Sequence, residues 1–144
     1  MRQMAWLHAV PSGKHVDSKK QKVSRLQHYL ESNPDSDELQ MPELNGADYL
    51  VSYLTEIGPA VSSGFGPSVV SWSEIDCWLK RTGLDLSPWE VITLRELSKV
   101  YVSELSQASD PNRKAPYMKA KPAELPKEEV ANKLRSALSS MARK

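Results

Sequence analysis

The chain has 144 residues, 40% of them hydrophobic, and a formal net charge of +1, which leaves room for one domain plus tails. No run approaches the roughly 18 apolar residues of a membrane span, and the apolar stretch Ala5 to Val10 is too short for a secretory core and has no convincing cleavage site after it. A cytosolic protein with no membrane partner is therefore expected, and the single cysteine, Cys77, excludes an internal disulfide.

Residues 1–16 hold one apolar patch, Met4 to Val10, followed by Pro11, Ser12 and Gly13. They show no periodicity and read as a flexible N-terminus whose Trp6 and Leu7 are candidates to dock elsewhere on the fold. The compact helical domain is expected over residues 17–106. Its first helix starts near Asp17 or Ser18, carries Val23, Leu26, Tyr29 and Leu30 at helical spacing, and ends at Asn33-Pro34. The acidic DSDELQMPEL is a connector. Asn45 is the expected cap of the next helix, in which Ala47, Leu50, Val51, Leu54 and Ile57 share a face until Gly58-Pro59 stops it. GPAVSSGFGPSVV reads as a turn-rich loop that lets Val69 and Val70 reach the core. It lacks the Gly-Lys-Ser/Thr ending that a phosphate-binding loop requires.

Two capping boxes follow. Ser71 pairs with Glu74, with Val70 and Ile75 as staple; Ser87 pairs with Glu90, with Pro88 at the first helical position and Leu86 and Val91 as staple. Gly83 is suited to the left-handed conformation that ends the first of these helices, so GLDLS is a short turn and the pair a helix-turn-helix-like hairpin or corner. The second helix, Ser87 to Ser106, is the expected centre of the fold. Trp89, Val91, Leu94, Leu97, Val100, Tyr101, Val102 and Leu105 cover more of its circumference than the roughly 100° stripe one neighbour needs, with Arg95, Glu96 and Lys99 as the wet strip. The predicted fold is all-α. A proline-rich linker at 107–126, with Pro111, Pro116, Pro122 and Pro126, leads to a basic amphipathic helix at 127–144 that carries Val130, Leu134, Ala137, Leu138 and Met141.

Charge is unevenly spread. Residues 35–68 contain six acids and no Lys or Arg, whereas residues 110–144 carry nine bases against four acids. No catalytic constellation, metal site or cofactor motif emerges. His8, His15 and His28 lack the i, i+4 spacing of a helical metal site, and read as solvent-facing. Cys77 is an incidental thiol, Glu74 and Glu90 are explained by capping, and Glu104 by an ordinary helix surface. A DNA-reading role for the hairpin fails on chemistry: its second helix opens with Trp89, Glu90, Val91 and Ile92 instead of side chains that read base edges. Residues 69–106 also hold six acids against four bases, a balance that phosphates repel.

Trp72, Trp78 and Trp89 fall close together, and aromatics of that size either dominate a small core or anchor an interface. A compact part of about 60 residues buries only roughly 60% of its chain surface. Apolar area should therefore stay exposed, to be covered by a partner or by the helix starting at Asp17.

The run from Gly64 to Val102 resembles the small tail-assembly chaperones of tailed bacteriophages and prophages. The matching residues are Gly66 and Pro67; Trp72, Glu74, Ile75 and Trp78; the Thr82-Gly83-Leu84 turn; Ser87, Pro88, Trp89 and Glu90; and Leu94, Arg95, Leu97, Ser98 and Tyr101. Asp110-Pro111 and Ala115-Pro116-Tyr117 also fit. The resemblance spans residues 42–117 and does not reach the basic C-terminal extension. It implies a non-enzymatic protein of the host cytoplasm that holds the long tape-measure protein soluble while tail tube subunits assemble around it. The basic C-terminal tail is expected to add attraction to acidic clients or to assist self-association. The expected partner-binding residues are Trp72, Trp78, Trp89, Leu97 and Tyr101. The alternative is a nucleic-acid-binding regulator or adaptor that uses the basic terminal segments, and salt dependence separates the two.

Overall fold

The computed structural model describes residues 1–12, 23–64 and 66–118. The fold is organised along its longest helix, α5 (Pro88–Gln107), which at about 1.5 Å per residue is roughly 30 Å long. Leu94, Ser98, Tyr101 and Glu104 form its buried stripe, following the i, i+4, i+7 rhythm of one helix face. The two neighbours that its broad apolar arc requires are α3 (Asp48–Ile57) and α1 (Arg2–His8). Helix α4 (Trp72–Thr82) rests on α3, and α2 (Arg25–Ser32) rests on α1. The described residues are mainly helical, and none of their helices is long and apolar enough to cross a membrane.

Two hydrophobic clusters result. In the first, Leu50 and Leu54 of α3 meet Val70, Ile75 of α4 and Leu94 of α5. In the second, Trp6, Leu7 and Ala9 meet Ala108, with Leu26, Tyr29, Leu39, Leu105 and Ala115 packed around them. Residues 1–12 of the expected flexible N-terminus are therefore docked on the fold, and residues 13–16 lie outside the described residues. Trp6 is only 3% exposed, and its indole N–H donates to the Arg113 carbonyl at 2.8 Å. The cover of α5 comes from α1, instead of the helix expected to start at Asp17. That helix, α2, begins at Arg25 with Ser24 as its cap. Asp17 and Ser18 lie outside the described residues.

Both capping boxes form. The Glu74 N–H donates to Ser71 Oγ and the Ser71 N–H donates back to Glu74 Oε2, and Ser87 and Glu90 repeat the exchange. Gly83 ends α4 at φ 69°, in the left-handed region that costs a residue without Cβ little. Helix α3 starts differently from expectation. Asn45 lies in a turn, Ala47 occupies the cap position, and no side chain caps the helix.

Two expectations change in the connecting segments. The Gly-Pro segment is not wholly loop: β1 (Val61–Ser63) pairs antiparallel with β2 (Gly66–Ser68), Val61 opposite Ser68. An all-α description therefore gives way to a mainly helical one with a two-stranded hairpin. Residues 107–118 are not an independent linker either. Arg113 holds Glu104 through two 2.9 Å contacts, and the Tyr117 N–H donates to Gln3 Oε1. Glu104, expected on an open helix surface, is 3% exposed, because this strap folds over it. The predicted basic helix at 127–144 lies outside the described residues.

Candidate docking surface

The Ser87 box starts α5 two residues before Trp89, and the Ser71 box starts α4 at Trp72, so each large aromatic sits in the first turn of its helix. Trp72 is 49% exposed, Trp89 62% and Ile92 54%. Trp89, Ile92 and Arg95 succeed one another at i, i+3 and i+6, so they form one row along α5. Across from that row, the Arg95 guanidinium lies 4.9 Å from the centre of the Trp72 ring. Trp72 and Ile75 also share a shallow hollow with Val91, rimmed by Ser73 and Asp76. Exposed apolar residues scattered singly need no explanation, whereas two exposed indoles and an exposed isoleucine at the starts of consecutive helices make a candidate interaction surface.

The five expected partner-binding residues divide. Trp72 and Trp89 belong to this surface. Trp78 does not: it is half-buried, its ring 5.2 Å from that of Tyr53. Leu97 packs on the Leu50–Leu54 cluster. Tyr101 is 5% exposed and shares a 2.8 Å hydrogen bond with His8 Nδ1. Tyr101 is thus a core residue, while Trp78 of α4 and Leu97 of α5 are half-buried against α3. The residues missed are Ile92 and Arg95. The signal for Ile92 was present, since it falls on the row of Arg95, Glu96 and Lys99, an apolar residue where a wet strip is expected. The stacking of Arg95 on Trp72 joins two helices and had no sequence signal.

The carboxylates around the surface are engaged. Glu90 is held below the usual carboxylate range by hydrogen bonds from Ser87 and then from Tyr49, whose hydroxyl lies 2.8 Å away on α3. Asp76 pairs with Lys80 at 2.9 Å and Glu96 with Lys99 at 2.5 Å.

A second polar centre, at the opposite end of α5, is structural. Arg25 is buried, stacks 4.8 Å from the Trp6 ring centre and donates to the carbonyls of Ala108 and Asp110. Burial lowers its pKa, against the opposing pull of Tyr29 and Asp110. Its donors are consumed by main-chain carbonyls that end α5 and begin the strap, so it binds the fold together. His8 is exposed, as expected, and its Nδ1 also shares a hydrogen bond with the Tyr101 hydroxyl, where partial burial lowers the pKa of its imidazole. His28 is exposed beside Tyr29, and His15 lies outside the described residues. Cys77 is free and exposed. Among the described residues, no group of three or more His, Cys, Asp or Glu side chains is placed to hold a metal ion.

Compared with models of known protein families, with curated proteins and with solved structures, the chain finds no match.

Proposed function

We propose that this chain is a tail-assembly chaperone of the tailed-phage type, which binds a long tape-measure protein through the exposed face of α4 and α5 and keeps it soluble while tube subunits assemble. The observation that carries the reading is the exposure of Trp72, Trp89 and Ile92 within the first two turns of α4 and α5. These residues belong to the two boxed helices, in which the residues resembling that family are concentrated. A rigid apolar face of this kind suits a helical client, which docks by laying its own apolar stripe along it. In this role the protein acts in the host cytoplasm and performs no chemistry, and tube subunits or a second copy are its further contacts.

Co-expression with the tape-measure protein of the same phage tests the proposal. The expected result is a soluble complex that persists in high salt, since apolar burial is not screened. Trp89→Ala should release the client while leaving the denaturation midpoint unchanged. An insoluble client, or a complex indifferent to Trp89→Ala, overturns the reading. So does tight duplex-DNA binding that is lost between low and moderate salt with no protein client recovered, which is the behaviour of a phosphate-binding regulator.

A further inference from the structure

We infer that the helix taken by the α4–α5 face carries carboxylates beside its apolar stripe and that Arg95 selects them. The inference rests on the docking reading of this face and specifies the chemistry of its occupant. Arg95 is half-buried, and its Nε is enclosed with no acceptor. Its one recorded interaction among the described residues is the stack on Trp72. The carboxylates on the neighbouring turns are committed elsewhere: Asp76 to Lys80, Glu96 to Lys99, Glu74 to Ser71, and Glu90 to Ser87 and Tyr49.

A guanidinium presents five N–H donors in its plane, and stacking against an indole covers a face of that plane without using the edge donors. The enclosed Nε is closed to a partner, and what remains for a docked carboxylate is the pair of Nη groups, an end-on fork in the geometry that makes Arg–carboxylate pairs both strong and directional. The surroundings add to this. Docking an apolar helix over Trp72, Trp89 and Ile92 removes water from beside Arg95, and a charge pair in lowered dielectric gains more than an open surface pair.

The row dictates spacing as well. Trp89 and Arg95 are six residues apart, about 9 Å along the helix axis, so an occupant lying along α5 places its carboxylate nearly two turns from the residue over Trp89. Sign separates the candidate occupants. Residues 110–144 of this chain carry nine bases against four acids, the wrong balance for covering an unpaired guanidinium. The occupant is therefore a segment of another protein, an amphipathic helix with Glu or Asp on the border of its apolar stripe.

Three synthetic amphipathic peptides with one leucine stripe, flanked by Glu, by Gln or by Lys, test this against the full chain by calorimetry. The Glu peptide should bind roughly tenfold more tightly than the Gln peptide, the size of one hydrogen bond to a charged group, and the Lys peptide should be weakest. Arg95→Gln should abolish the preference for Glu over Gln while leaving the Gln-peptide affinity and the denaturation midpoint in place. Arg95→Lys, which keeps the charge without the fork, should retain part of the preference. Trp89→Ala and Ile92→Ala should weaken all three peptides. Equal affinity for the three peptides, no binding by any of them, or a preference that survives Arg95→Gln overturns the inference. The chaperone reading would still be decided by whether co-expression yields a soluble complex.

Discussion

The two hydrophobic clusters are built from the same kinds of side chain but assembled in opposite ways. The Leu50–Leu54–Val70–Ile75–Leu94 cluster draws on one continuous stretch of 45 residues, whereas the cluster around Trp6 joins residues 6–9 to residues 108–115 at the other end of the described chain. In the first, local devices position each helix: two capping boxes, a proline at the first turn of α5 and Gly83 at the end of α4. In the second, hydrogen bonds to main-chain groups do that work: Trp6 on the Arg113 carbonyl, Arg25 on Ala108 and Asp110, and Gln3 on Tyr117. Closing the longer loop costs only modestly more chain entropy, since that cost grows with the logarithm of length, but the joined ends have no local capping device to position them. The end cluster is accordingly the part expected to depend most on a few specific residues.

Substitution at the centre of each cluster gives the largest effect. Trp6→Ala should cost about 3–5 kcal/mol and Leu54→Ala about 2–5 kcal/mol in chemical denaturation. The comparison is sharpened by the shape of the transition. A single cooperative transition for both variants means that α5 couples the two clusters. Two transitions for Trp6→Ala would mean that the end cluster melts alone.

Next in size is the strap. Arg113→Ala leaves the Glu104 carboxylate, 3% exposed, without its two donated hydrogen bonds, at a cost of about 2 kcal/mol. Limited proteolysis should find residues 107–118 protected in the native protein and cleaved in this variant. Cleavage within 107–118 of the native chain would break the idea that the strap belongs to the domain.

Loss of a cap is smaller. Ser71→Ala and Ser87→Ala should each lower stability by about 1 kcal/mol, and both changes act on the cluster with local signals. Unchanged midpoints would mean that packing on α3, and not the boxes, places α4 and α5.

The smallest effect is a pH dependence confined to the end cluster. Burial lowers the His8 pKa in the fold, so the folded protein resists a proton that the unfolded chain accepts. Stability should be unaffected above the ordinary histidine range and should decline as pH falls through it. His8→Gln should flatten that slope relative to the parent chain, measured by denaturation midpoints across the range.

The candidate surface was half legible for the same reason that divides the clusters. Trp72 and Trp89 stand out by size and by their position just after a cap, and both are exposed. Trp78, Leu97 and Tyr101 share the same composition but were consumed by Tyr53, α3 and His8. Nothing in the periodicity of α5 distinguishes an apolar residue covered by a neighbour from one left open, because that depends on where the neighbour ends. Ser98 makes the point in polar form. Its hydroxyl accepts from the Val70 N–H and donates to the Pro59 carbonyl at 0% exposure. No local pattern marks a mid-helix serine as the fastener of a hairpin 30 to 40 residues earlier.

By itself the sequence determined the elements whose signals lie within one helical turn: both capping boxes, the Gly83 stop, the mainly helical character, and α5 as the element needing two neighbours. Those signals are local because a side chain reaches only the backbone groups three or four residues away. Tertiary structure alone decided which neighbours α5 received, that the two ends of the described chain close over Arg25 and Glu104, and that Arg95 lies against Trp72. Each of these joins groups separated by tens of residues, whose meeting depends on the summed packing of every helix between them rather than on any spacing in the chain.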